Sequence, residues 1–252
     1  MLEKKQKMKL IQFVGARNKS DLVMYIAHVL TNLNKRVLVV DGTRNELYKN
    51  GFINTEKSQF LFDFQGIDIL AGSNNWLDIE ECLQRSGETT IAYDAILVDH
   101  DYVETFSQEW PTFTDRFYVG DFDRANQLLD SEMINTLIET TENNEFKRIT
   151  FESNYKMDTS YFESFLAKNV KWRSINYLFQ PDDLLEGLRM QMQHEQVIPY
   201  KRLSKQYKEL VTEIVSALYE IHIKDITDAV KPSFFKLPFK RTKNVELESS
   251  NA

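Results

Sequence analysis

The stretch Lys9–Asp41, KLIQFVGARNKSDLVMYIAHVLTNLNKRVLVVD, constrains the fold of this chain more than any other. A short apolar run, Leu10–Val14, leads into Gly15. A loop ending in Lys19-Ser20 follows. The next segment sets Leu22, Ile26, Val29, Leu30 and Leu33 on one stripe at helical spacing, and a second apolar run stops at Asp41. Strand, loop, amphipathic helix and strand make a β-α-β unit, whose two strands run parallel. The alternation continues along the chain. Further strands are predicted at Arg36–Val40, Ile67–Ala71, Ala95–Asp99, Arg116–Val119, Arg148–Phe151 and Ser174–Phe179. Helices are predicted at Ser20–Asn34, Trp76–Arg85, Arg124–Thr141, Thr159–Ala167, Asp182–Gln193 and Leu203–His222. Short continuous apolar strands alternating with helices predict an α/β fold of three layers, a mostly parallel sheet with helices on both faces.

The chain's 252 residues suffice for one such domain. No repeat or low-complexity linker divides it, so residues 1–223 are expected to form the domain and 224–252 a tail of different composition. The formal net charge of −7 argues against a broadly basic surface for nucleic acid. A single cysteine, Cys82, leaves no internal disulfide framework and fits a reducing cytosol. The basic start Met1–Lys9 is not followed by an apolar segment of signal-peptide length, and no run reaches the ~18 apolar residues of a membrane span.

The loop before the first helix has the layout of a phosphate-binding turn. Such a turn uses glycines so that backbone N–H groups face inward, a lysine to reach the phosphates, and a Ser or Thr hydroxyl for Mg²⁺. Gly15, Ala16, Arg17, Asn18, Lys19 and Ser20 occupy it here. Asn18 stands directly before the lysine, and asparagine tolerates a left-handed backbone better than most residues. Asp21 adds a negative charge beside the loop. The same residues also fit an ordinary helix start, with Asn18 or Ser20 as cap and Asp21 favourable to the helix dipole. Two strand-end carboxylates join the picture: Asp41, and Asp99 at the end of YDAILVDHD. In a parallel sheet these ends share the edge where α/β folds bind ligands.

With these motifs the chain resembles the ParA/MinD family of deviant-Walker P-loop ATPases, of the SIMIBI type, over about Lys9 to His222. It is nearest in character to degenerate TadZ/CpaE-like members. The family loop KGGxGK[ST] corresponds to Val14-Gly15-Ala16-Arg17-Asn18-Lys19-Ser20, and the family's Asp-x-Asp strand end to Asp41-Gly42-Thr43. The resemblance implies that Asp41 positions the attacking water, that Ser20 and Asp99 hold Mg²⁺, and that the loop binds ATP or ADP. It also implies that Pro181 and Asp182, in FQPDDLLEGL, lie near the adenine, and that the protein forms a homodimer. The departures are Val14 for the signature lysine, Ala16 and Asn18 for two glycines, and His100-Asp101-Tyr102 after the second strand-end aspartate. They imply a kept fold with weak or absent ATPase activity, because losing a cation that acts on transition-state charge costs orders of magnitude in rate.

The tail segment Lys231–Lys243, KPSFFKLPFKRTK, interleaves Phe234, Phe235, Leu237 and Phe239 with basic residues that include Lys236, Lys240 and Arg241, and has no acidic residue. Aromatics seat at a headgroup boundary and basic residues favour anionic lipid, so a membrane surface or a protein partner is expected there. Pro238 argues against one uninterrupted helix. His28 is expected at or near the surface and His100 in a turn. The scattered histidines offer no zinc spacing. The expected function is a positioning or assembly factor for a bacterial membrane-associated machine of pilus, secretion or conjugation type. It would be cytoplasmic or peripheral at the inner membrane face, with protein partners and without nucleic acid. An active partition or cell-division-positioning ATPase is the alternative. A small-molecule kinase or ligase would need an intact loop and an acceptor pocket.

Overall fold

The structure, a computed structural model, describes residues 8–52, 60–73, 75–107, 109–141, 144–155 and 160–231. Its elements begin with β1 (Lys9–Val14), α1 (Ser20–Asn32), β2 (Val37–Gly42), α2 (Leu47–Phe52), β3 (Leu61–Phe64) and β4 (Ile67–Ala71). They continue with α3 (Trp76–Arg85), β5 (Ala95–His100), β6 (Asp115–Gly120), α4 (Arg124–Thr140) and β7 (Glu145–Phe151). The last are α5 (Ser160–Glu163), β8 (Lys171–Phe179), α6 (Leu184–Glu195), α7 (Lys205–Tyr219) and α8 (Ile223–Ala229). The strands form one eight-stranded sheet in the order β3-β4-β2-β5-β1-β6-β7-β8. Every pairing is parallel except the β3–β4 hairpin.

Alternate residues of β1 supply opposite faces of the sheet. Ile11 and Phe13 enter the larger core, with the inner faces of α1 and α7, while Leu10 and Val14 enter two smaller cores on the other side. Phe13 and Phe117 stack at 5.3 Å in the larger core, and Tyr207 of α7 meets Tyr25 of α1 edge-on at 5.7 Å. Helices thus cover both faces of the sheet, and the predicted three-layer α/β architecture is the one observed.

The differences from the predicted elements have local causes. β3 is absent from the predicted strands because its alternation spans only Leu61–Phe64; Gln65 and Gly66, both at positive φ (54° and 83°), turn it back onto β4. α2 has no helical periodicity and contains Gly51, so only a tertiary contact reveals it. The last long helix starts at Lys205, where the Ser204 side chain accepts the Tyr207 N–H, and stops where Glu220 turns left-handed. α1 ends at Asn32 rather than Asn34, with Asn34 at φ 59°. The helix expected over 159–167 is helical only at Ser160–Glu163 among the described residues. α8 falls in the stretch read as tail and packs on α7 and α1 through the fully buried Ile226. Phe234, Phe235, Lys236, Leu237, Phe239, Lys240 and Arg241 lie outside the described residues. Among the described residues, no helix is long and apolar enough to cross a membrane.

Candidate functional site

Sheet order brings the predicted site residues together. β2, β5 and β1 are neighbours in parallel, with Asp41 beside Asp99 and Phe13 beside Asp99 in register. The ends of these strands and the first turn of α1 therefore meet at one edge. Gly15 is required there by contact: a Cβ on it would lie 2.1 Å from the Val119 carbonyl oxygen of β6. The N-cap of α1 is Lys19, without a side-chain capping bond, rather than the expected Asn18 or Ser20; Asn18 instead closes a turn onto Ser20 just ahead of the helix. Asn18 Oδ1 accepts the Ser20 N–H (3.1 Å) and the Ser20 hydroxyl (2.8 Å).

Lys19 does not project toward solvent. Its side chain is 1% exposed, and Nζ donates to the carbonyls of Gly15 (2.6 Å) and His100 (3.0 Å). Nζ also lies 2.6 Å from Asp99 Oδ1, an ionic contact with a carboxylate that is itself fully buried. The other oxygen, Asp99 Oδ2, accepts the hydroxyl of Tyr48 at 2.8 Å. Burial, with Asp99 alongside, raises the Tyr48 pKa well above its usual value, so the phenol remains a donor.

Asp41 is equally engaged. Oδ1 accepts the N–H (3.2 Å) and hydroxyl (2.6 Å) of Thr43, while Oδ2 accepts the N–H groups of Tyr48 (2.9 Å) and Lys49 (3.1 Å). These bonds hold the start of α2. Burial lifts the Asp41 pKa to about 6 against the pull of its donors.

On the β6 side, Asp130 Oδ1 accepts the Ala16 N–H at 2.6 Å and Oδ2 accepts the Tyr118 hydroxyl at 2.9 Å. A carboxylate of α4 thus takes a backbone donor of the loop. Burial raises the Asp130 pKa to about 7. Arg17 stacks over the Phe151 ring at 3.6 Å and lies 3.6 Å from Asp121. Asp21, buried in the first turn of α1, accepts the Leu22 N–H at 2.9 Å; burial raises its pKa, and Arg17 pulls the other way.

His100 is the last residue of β5 and fully buried, not a turn residue. Arg116 Nε donates to Gln12 Oε1 (2.7 Å), which leaves Gln12 Nε2 as donor to His100 Nδ1 (3.0 Å) and places the ring proton on Nε2. Burial lowers its pKa to about 3, so the ring is neutral at physiological pH. His28 is half-buried. Pro181 and Asp182 line a cleft of about 470 Å³ together with Phe179, Tyr207 and Leu210, and Phe179 stacks on Phe151, the ring beneath Arg17 of the loop.

The residues that sequence reasoning missed are Tyr48, Asp130 and Tyr118. Asp130 carried a faint signal, since an acid on the inward face of α4 needs a partner. Among the described residues, no group of three or more His, Cys, Asp or Glu side chains is arranged to hold a metal ion. The residues present do not fit a nucleotide–Mg²⁺ complex as they stand. The lysine, the Ala16 N–H, both oxygens of Asp99 and both of Asp41 all have partners within the chain.

The sequence matches no protein-family model and no curated protein. Its structure is similar to the MinC:MinD cell division protein complex of Aquifex aeolicus, with a TM-score of 0.54 and 15% identity over 85% of this chain and 97% of that one. It is also similar to a Borrelia burgdorferi B31 protein described as a plasmid partition protein and bound to AMPPNP. There the TM-score is 0.53 and the identity 14%, over 85% of this chain and all of that one. The fold is the ParA/MinD-like P-loop ATPase fold.

Two predictions follow from the buried charges. Lys19→Met leaves Asp99 without its cation and is expected to cost about 3–5 kcal/mol in urea unfolding. Adding Asp99→Asn, which still accepts the Tyr48 hydroxyl, should recover about half of that loss. For Asp130 the folded pKa is raised, so its contribution to stability is present at low pH and lost as pH rises through about 7. The unfolding free energy of wild type relative to Asp130→Asn should therefore fall by about 1 kcal/mol per pH unit between pH 5 and 7.

Proposed function

We propose that this chain is a ParA/MinD-like positioning or assembly factor that works without binding nucleotide, as an adaptor for a bacterial membrane-associated machine. The observation that carries this reading is the burial of Lys19 against Asp99 and two backbone carbonyls. A cation held by a fully buried carboxylate meets a phosphate only if that pair is first broken. The similarity to a MinC:MinD cell division complex and to a plasmid partition protein supports the positioning class. The Phe- and Lys-rich segment at 231–243 supports a docking role for the tail, on an anionic membrane or on a protein of the assembly. On this reading Asp41 caps α2 rather than positioning water, and dimer formation does not depend on ATP.

Titration calorimetry of the full chain with ATP·Mg²⁺ and with ADP tests the central point. No saturable heat is expected at ligand concentrations up to about 1 mM, where a site of even −4 kcal/mol would register. Binding by the wild type that disappears in a folded Lys19→Gln variant would reinstate the ATP-driven switch as the better reading. The tail is tested by sedimentation with vesicles containing anionic lipid. The wild type should pellet more than the variant Phe235→Glu/Lys236→Glu, and equal pelleting would refute membrane docking through this segment.

A further inference from the structure

The disagreement between this site and a nucleotide–Mg²⁺ complex has a specific local cause. Resting on the reading above, we propose that Tyr48 is a built-in plug, with its hydroxyl standing in for a cation at Asp99 and keeping the site closed. Asp99 is fully buried at the end of β5, and its two oxygens need positive partners in a low-dielectric edge of the sheet. Lys19 supplies one at Oδ1. The second could be a metal ion, a water or a proton donor of the chain. Tyr48 is that donor: it is fully buried, reaches Asp99 from 51 residues away in sequence, and donates to Oδ2 at 2.8 Å.

Its placement is built rather than incidental. Asp41 of β2 lies beside Asp99 of β5 in register, and its Oδ2 accepts the backbone N–H of Tyr48 itself and of Lys49. One strand-end carboxylate thus anchors the peptide that carries the tyrosine, and the other accepts its hydroxyl. Phe52, one turn on, packs against the Tyr48 ring with centroids 5.8 Å apart and is itself buried. One oxygen of each strand-end carboxylate, Asp41 Oδ2 and Asp99 Oδ2, is thus engaged in holding Tyr48. The device resides in one oxygen atom, so removing that atom leaves Oδ2 as a buried acceptor without a donor, the condition that favours recruiting a cation.

The test is calorimetric titration of the full chain with Mn²⁺ alone and with ATP·Mg²⁺, for wild type, Tyr48→Phe, Tyr48→Ala and Tyr48→Phe/Asp99→Asn. Circular dichroism confirms the fold of each. Tyr48→Phe keeps the ring and its packing, so the measurement survives if Tyr48→Ala fails to fold. Tyr48→Phe is expected to bind at least one of the two probes about tenfold or more tighter than wild type, and the added Asp99→Asn to abolish the gain. No gain in any folded Tyr48 variant overturns the plug while leaving the nucleotide-independent reading standing. A gain that survives Asp99→Asn also overturns it, because the effect then does not pass through Asp99. Wild-type binding of ATP·Mg²⁺ as tight as that of Tyr48→Phe overturns both readings together.

Discussion

The arrangement of the site depends on one buried charge pair. Lys19 Nζ sits 2.6 Å from Asp99 Oδ1 with both side chains essentially out of solvent. An ammonium and a carboxylate leave water at a cost of several kcal/mol each, and the pair persists only where further donors and acceptors complete it. Here the carbonyls of Gly15 and His100 take two of the ammonium protons, and the Tyr48 hydroxyl serves the second carboxylate oxygen. Those partners come from the ends of β1 and β5, the start of α1 and the start of α2. One pair therefore fixes the relative positions of four elements at a single edge of the sheet.

That closure bears on whether the fold can act as a switch. A ligand moves a conformational equilibrium only by as much as it prefers one state over the other. In a loop whose donors faced solvent, an anion would gain their hydrogen bonds outright. Here it would have to displace Asp99 from Lys19 and Asp130 from the Ala16 N–H, and each displaced carboxylate would be left buried without its donor. The energetic preference therefore lies with the closed arrangement. In the proposed adaptor role, partners would recognise a constant surface rather than one that changes with turnover.

The framework was legible in the sequence because it is carried by local periodicity. β1, α1 and β2 follow from apolar runs and one helical stripe, and Asp41 and Asp99, which close two such runs, are register neighbours in the sheet. The partners of those residues were not legible, since they join positions far apart in the chain. Tyr48 reaches Asp99 across 51 residues, and Asp130 reaches Ala16 across 114. α2 has too few residues for periodicity to reveal it, and it exists because Asp41 accepts two of its N–H groups. The sequence identifies Lys19 as a loop lysine but not the carboxylate it meets, Asp99. His100 was misjudged for a similar reason. Its neighbours in sequence are polar, whereas its neighbours in space are Gln12, Phe106 and Trp110.

The glycines separate the needs of the fold from the needs of a phosphate. The family pattern that the loop resembles has glycine at the positions of Gly15, Ala16 and Asn18. Gly15 is the one whose Cβ would strike the β6 backbone, at 2.1 Å from Val119 O, so the sheet requires it whether or not a ligand binds. Gly42 is held in the same way, since a Cβ there would lie 2.4 Å from the His100 ring. Ala16 and Asn18 occupy positions where glycine would chiefly free the backbone to approach an anion. Here the first presents its N–H to Asp130, and the second turns its side chain onto Ser20, whose N–H and hydroxyl it accepts. In this loop glycine is kept at position 15, where packing against β6 demands it, and side chains stand at 16 and 18. That division of labour is what the proposed scaffold role requires of the loop.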